Sequence, residues 1–579
     1  MLLLAGCATF FFGLGRLPLL EPDEGRNAEV AREMLALGRW LVPHYDGLAY
    51  LDKPPMLFWL MAGSFKLFGL SQWAARLPSA IAALAVLLLV GYWGRRTFGR
   101  ASGIKAGFIF ATAPMVIIFS RLVIFDMLLT LLVTLALTGF WHGEGPAARP
   151  LGADILLFAA MGLATLTKGP VGFLLPLLVI FSYMALRRRL GEIRKLHWKW
   201  GLAVFSAIVL PWFAIVSLRH PDFPRYALWD ESLRRFATSS EHRKGGLFYY
   251  LPVYLAGFLP WSFFLLALGL GRIKRWKQLF QESSAPILFL ICWVGVIFVF
   301  FSISQSKLPG YFLPALVPLS ILAAKAWSDA ERQAKSRVPG WVTAAFAALV
   351  LIGLAGLLAS QFVGFASLRL RLAGKAPSDV LALLKPEAVY SSLILIALSV
   401  LGRDLMGRAR HRWAASAAFG VVALTAPLLI LRWFRPLELY AAVNSSRALA
   451  STIEKSPEKN LPVYGLYYFR TGLPFYLRRP VGLITADADE LTSNYVASRW
   501  RKLNKGAPGL FLLRSEAGSA MPWDPNHPLL ARGKDWRPRA ALVLTPGTQV
   551  PALAGPTSEI EPLWSGWRYS VWEVRTAKR

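Results

Sequence analysis

The sequence predicts a polytopic α-helical membrane protein of about 13 spans, with interfacial helices and a C-terminal soluble α/β domain. Three observations carry this. Of 579 residues 55% are hydrophobic, and mean hydropathy is +0.46. Apolar runs of roughly 15 to 22 residues recur from residue 1 to about 432, the length a bilayer demands of a helix. The Lys and Arg residues behind a net charge of +31 sit in short loops between those runs, so the charge does not point to nucleic acid.

Spans are expected near 1–18, 76–93, 103–119, 127–141, 153–167, 170–186, 201–217, 248–269, 286–303, 310–326, 341–362, 389–402 and 413–432. "LLLAGC", ending at Cys7, spells a lipoprotein cleavage box. No basic residue precedes it and the apolar run continues, so an uncleaved first span is expected. Basic loops set the orientation. "GRRTFGR", "RRRLGEIRKLHWK", "GRIKRWKQ", "ERQAKSR" and "GRDLMGRARHR" alternate with loops poor in Lys and Arg, which makes these five cytoplasmic. Residues 21–24, 120–126, 218–247, 304–309 and everything after about 433 then face outward.

The transmembrane domain is thus read as 1–432 and the outer α/β domain as 433–579. Within the former, the outer loop 19–75 is too long for a connector. Its "NAEVAREMLALGRW" places Ala28, Ala31, Met34, Leu35 and Leu37 on one side of a helix, a pattern suited to lying along the interface. The outer loop 218–247 carries six Lys or Arg between 219 and 246, on the side that topology keeps poor in them, which suits an anionic ligand. Beyond 433, "PVYGLYY", "GLFLLR", "ALVLTPG" and "WRYSVWEVR" read as short strands, with "SSRALASTIEK" helical between them.

No Walker loop, HExxH, dinucleotide fingerprint or Ser–His–Asp signature is present, and Cys7 with Cys292 makes neither a disulfide framework nor a zinc pattern. An enzyme built this way would take its energy from the substrate itself. Five outward-facing polar groups stand out. Glu21, Asp23, Glu24 and Arg26 crowd the mouth of the first apolar segment. Capping of the following helix would account for Asp23 and Glu24, but not for Arg26. In "YLDKPPMLFWL" two prolines fix Lys53 at the start of another segment, where it suits a lipid phosphate or snorkels to water. Arg121 and Asp126 flank an apolar turn and could pair with each other; Lys307 and Tyr311 lie four apart in "SQSKLPGYFLP"; Lys168 ends "LTK". Acidic and cationic groups gathered at one interface imply a cavity for a phosphate-bearing lipid, with polar chemistry beside it. The carboxylates could also ligate a divalent metal, a point the sequence leaves undetermined.

The stretches "PDEGRNAEVAREMLALGRWLVPHYDGLAYLDKPPMLFWL", "RLVIFDMLL", "LTKGP", "LWDESLRRF", "HRKGGLFYYLPVYLAGFLPW" and "SKLPGYFLP" resemble, in order, the C-type-fold (GT-C) membrane glycosyltransferases. These use polyprenyl-phosphate sugars as donors. The nearest branch is the aminoarabinose lipid A transferases, related to the protein O-mannosyltransferases. The resemblance implies Asp23 as principal catalytic carboxylate, with Glu24 beside it and Asp126 as a second acid. It implies Arg26, Lys53, His242, Arg243, Lys307 and Tyr311 on the carrier phosphate. It further implies inverting transfer from undecaprenyl phosphate to an outer-leaflet lipid or glycan in a bacterial inner membrane, with site and C-terminal domain on the periplasmic side. No cofactor is implied with certainty. Asn27, where that branch usually has an aromatic residue, and Asp52, where Glu is usual, leave the sugar open. Transfer to protein Ser or Thr stays open too, as does transport of a lipid-linked sugar.

Overall fold

The structure is a computed structural model. It describes the chain except for residues 145–147, 235, 237–244, 363–377, 486–487, 504–509, 512–539, 547–557, 566–568 and 577–579. The chain forms two compact units, one of Met1–Leu14 with Arg76–Leu437 and the other of Gly15–Ala75 with Glu438–Arg579. The loop expected to belong with the transmembrane part thus shares a unit with the C-terminal segment.

The first unit is helical because a bilayer offers no water to bond a free amide or carbonyl, and a helix satisfies both within itself. Among the described residues eight helices are long and apolar enough to cross a membrane: Gln72–Phe98, Leu151–Lys168, Trp198–Arg219, Ala285–Ile303, Pro309–Ala334, Gly340–Gln361, Ser378–Gly407 and Trp413–Arg432. Tyr250–Gly257 and Trp261–Leu270 bend by 119° at their junction and make a ninth if taken as one span. The segment expected as one span at 103–119 is two helices, Arg100–Thr112 and Pro114–Phe119. Pro114 has no N–H to continue the ladder and sits at the first position of the second. Leu2–Phe11, Asp126–His142 and Val171–Leu186 are shorter apolar helices at three further expected positions. Aromatic rings fill the interior, with Phe289 at 4.9 Å from Trp141 and 5.2 Å from Tyr183. Trp93 meets the need of its buried indole N–H by donating to Thr138 Oγ1 at 2.8 Å.

The second unit holds a six-stranded sheet built of β3 (Val463–Leu466), β4 (Gly482–Ile484), β5 (Leu510–Phe511), β6 (Ala540–Pro546), β7 (Ser558–Ser565) and β8 (Tyr569–Thr576). Their order across the sheet is β5-β4-β3-β6-β8-β7. β3 pairs in parallel with β4 and β6, while β6–β8 and β8–β7 are antiparallel. Tyr464, Leu466, Ala541, Val543 and Val574 form a buried face on which Ile560 packs. A two-residue hairpin joins β1 (His44–Tyr45) to β2 (Leu48–Ala49), with Asp46 and Gly47 at positive φ of 52° and 80°, the backbone that an Asp-Gly pair favours.

The helix Asp23–Leu37 is present, ending at Gly38 in the left-handed conformation. It is not the one-sided surface helix that its apolar spacing suggests: every residue from Glu24 to Met34 is buried. A Cβ on Gly25 would stand 2.6 Å from Gly472 Cα, so glycine at both positions lets the helix touch the 471–472 backbone.

Candidate active site

The three clustered carboxylates of the second unit do three different things. Glu21 is turned to the C-terminal segment, accepting from Ser446 Oγ and pairing with Arg470 at 3.1 Å; burial raises its pKa above the usual carboxylate range. Glu24 reaches back to accept from Leu20 N at 2.9 Å and is 3% exposed, so it ties the first turn of the helix to the segment that precedes it. Asp23, at the first helical position, keeps half of its side chain exposed and pairs with Arg26 at 2.5 Å.

Arg26 is nearly buried. It donates to Thr492 O at 2.7 Å and Thr492 Oγ1 at 2.6 Å, and its guanidinium lies 5.9 Å from the Tyr50 ring centroid. Burial works against its charge, but Tyr50, Asp23 and Asp52 outweigh that and raise its pKa. Its Nε–H is buried with no hydrogen-bond partner among the described residues. Lys53 donates to Asp52 O at 3.0 Å and is half-buried. Asp52 is committed to structure: its Oδ1 accepts from Tyr495 N at 2.8 Å, at the start of the Asn494–Leu503 helix.

A second acidic cluster lies further along the same helix. Arg32 grips Glu29 with two bonds of 2.6 Å. Glu33 accepts from Gly47 N at 3.1 Å, and Asp46 accepts from Val481 N at 2.9 Å. Burial pushes the Glu29 and Asp46 carboxyls up to about 8 despite these partners, and raises Glu33 as well.

In the first unit Asp126 opens the Asp126–His142 helix, where a negative charge meets the positive end of the helix dipole. Arg121 does not pair with it. That guanidinium instead donates to Thr9 O and Phe12 O, and burial lowers its pKa. The partner of Asp126 is Lys168, the last residue of its own helix, at 2.5 Å with both side chains largely buried. Lys168 Nζ also lies 4.4 Å from the Tyr311 ring centroid, a cation–π contact. Gly310 closes on the pair: a Cβ there would stand 2.9 Å from Asp126 Cγ. Lys307 and Tyr311 do not share a helical face, because the helix begins only at Pro309. Lys307 folds back onto the carbonyls of Ser302, at 2.9 Å, and Ser304. Phe236 is tied to this corner, its carbonyl accepting from Gln305 N at 2.9 Å. His242 and Arg243 lie outside the described residues. Among the described residues no group of three or more His, Cys, Asp or Glu is placed to hold a metal ion.

The predicted residues thus fall into two groups, Asp23, Glu24, Arg26 and Lys53 in one unit and Asp126, Lys307 and Tyr311 in the other. Each group sets carboxylate beside cation at helix ends, the chemistry of a site that handles a phosphate and a polar group together. Sequence reading missed the Asp126–Lys168 pair because its members are 42 residues apart; the signal at hand was a lysine ending an apolar helix.

The family described as Dolichyl-phosphate-mannose-protein mannosyltransferase matches residues 52–215. The undecaprenyl phosphate-alpha-4-amino-4-deoxy-L-arabinose arabinosyl transferase of Aeromonas salmonicida is 34% identical over 355 residues, 60% of this chain and 63% of that protein. Its counterpart in Sodalis glossinidius, bearing the same name with the suffix 2, is 32% identical over 420 residues, 72% of this chain and 70% of that protein. The crystal structure of ArnT from Cupriavidus metallidurans bound to undecaprenyl phosphate superposes with a TM-score of 0.79 at 28% identity, covering 99% of this chain and 97% of that one. Helices and sheet domain together therefore define a multi-pass membrane protein of the C-type glycosyltransferase fold. Within that class, the chain belongs to the undecaprenyl phosphate-alpha-4-amino-4-deoxy-L-arabinose arabinosyl transferase family. It spans just under two thirds of the length of the Aeromonas relatives it matches.

Proposed function

We propose that this protein is a membrane glycosyltransferase that moves 4-amino-4-deoxy-L-arabinose from undecaprenyl phosphate to lipid A, with inversion. It would act at the periplasmic face of a bacterial inner membrane. The observation that carries this is the shared structure, over nearly the whole chain, with a protein whose crystal structure holds undecaprenyl phosphate. In the reaction an oxygen of the acceptor phosphate attacks the anomeric carbon. The bond from that carbon to the carrier's phosphate oxygen breaks with its electron pair, and undecaprenyl phosphate leaves as an anion.

Such a leaving group needs cations rather than a protonating acid. Arg26 and Lys53 are proposed to bind it, and the buried Nε–H of Arg26 is a donor still to be satisfied. A phosphate acceptor is already anionic, so no strong base is required. The carboxylates of Asp23 and Asp126 suit the ammonium and hydroxyls of an aminosugar, and Asp23 keeps half its side chain accessible. Glu24 supports the helix start that positions Asp23.

The test is Asp23→Asn in purified protein given undecaprenyl-phosphate aminoarabinose and lipid A, with products read by mass spectrometry beside wild type. Loss of transfer in a folded variant is expected. Undiminished transfer would return Asp23 to a capping role, and a silent wild type would show that donor or acceptor is wrong.

A further inference from the structure

Within the second unit a groove of about 350 Å³ opens beside Ser71, Gln72, Trp73, Arg447, Tyr476 and Arg478. Its size is that of a small-molecule site (~300–1,000 Å³). The reaction proposed above uses none of these residues. Two guanidiniums line it, both exposed, and neither makes an ion pair or side-chain hydrogen bond among the described residues. No acidic side chain is among its lining residues. Arg447 is the first residue of the Arg447–Lys455 helix, the end at which the helix dipole repels a cation and attracts an anion. Neither guanidinium has a counter-charge among the residues that line the groove.

The apolar side of the groove says what kind of anion would supply it. Trp73 packs edge-on against Phe68 at 5.4 Å, and Phe68 and Leu67 are 57% and 77% exposed. They end the Met56–Phe68 helix, whose residues are mostly apolar. Positive charge next to an exposed aromatic and aliphatic ledge is complementary to an amphiphile with an anionic head.

We propose that this groove binds the phosphate of a lipid as a monoester or diester. Arg447 and Arg478 hold its oxygens, and the chains lie along Phe68 and Leu67. It is a second lipid-phosphate site, separate from the one that takes the sugar donor.

Native mass spectrometry of the detergent-solubilised full chain tests this without any transfer reaction. Dioleoyl phosphatidic acid, dioleoyl phosphatidylcholine, inorganic phosphate and undecaprenyl phosphate are titrated separately. Wild type is expected to show a phosphatidic acid binding step that R447Q/R478Q weakens by about ten- to a hundredfold, the range for charge-assisted bonds. R447K/R478K should keep most of it, and the charge-matched control R194Q/R337Q all of it. The single substitutions R447Q and R478Q give the same answer if the double variant misfolds. Unchanged phosphatidic acid binding in R447Q/R478Q overturns the site. Equal binding of phosphatidylcholine, or of inorganic phosphate, overturns the anionic-lipid assignment, the latter in favour of a free phosphate. Undecaprenyl phosphate binding that falls in parallel would overturn the separation from the donor site.

Discussion

Asp46 offers a sharp test of how the second unit is held together. Its carboxyl is 4% exposed, faces Val481 N, and is pushed up to about 8 from an ordinary 3.8, first by burial and then by Glu33. The unfolded chain gives up this proton above pH 3.8, whereas the folded protein keeps it until about pH 8. Between those values the folded state holds more protons, so stability falls as pH rises and levels off above about 8. The slope for one such group is about 1.4 kcal/mol per pH unit, which bounds the whole effect at about 6 kcal/mol. Asp46→Asn keeps the oxygen that accepts from Val481, tolerates the left-handed backbone at φ 52°, and cannot ionise. The variant should therefore be more stable than wild type by a few kcal/mol at pH 8, with the gain vanishing near pH 4. Denaturation of purified protein followed by intrinsic fluorescence from pH 4 to 9 measures it. A gain independent of pH, or a loss at pH 8, would refute the reasoning.

Three further outcomes follow from the same geometry. Lys168→Met strands a nearly buried Asp126 and should cost about 3–5 kcal/mol in a melting assay, with Asp126→Asn in the same chain restoring much of it. Gly310→Ala drives a methyl to within 2.9 Å of Asp126 Cγ and 2.5 Å of Phe119, so transfer measured by mass spectrometry should fall at least about tenfold while the protein still folds. Glu24→Gln keeps an acceptor for Leu20 N but loses the charge at the helix start; it should lower stability by about 1 kcal/mol and leave kcat within a few-fold. A kcat collapse in that variant would make Glu24 catalytic rather than supporting.

Much was legible because membrane helices announce themselves locally. A run such as Ala285–Ile303 must be a helix whatever surrounds it, since no other conformation satisfies its backbone in lipid. Strand segments such as "ALVLTPG" were readable from β-branched alternation and appear as β6. Asp23 and Arg26 also pair locally, being three residues apart on one helix.

What tertiary structure alone decided is the partner of each charge. Glu21, Asp23 and Glu24 look alike in the sequence. Only the fold sends Glu21 to Ser446 and Arg470, leaves Asp23 half in the open and buries Glu24 against Leu20. Asp126 could have paired with Arg121, five residues before it, and instead meets Lys168 on another helix. The helix at 23–37 read as one-sided, yet it is buried through Met34 because residues from the far end of the chain enclose it. Helix and strand are set by backbone needs that every few residues must meet on their own terms. A charge, by contrast, is answered by whatever the fold brings within a few ångströms, and in this chain that answer often comes from more than 400 residues away.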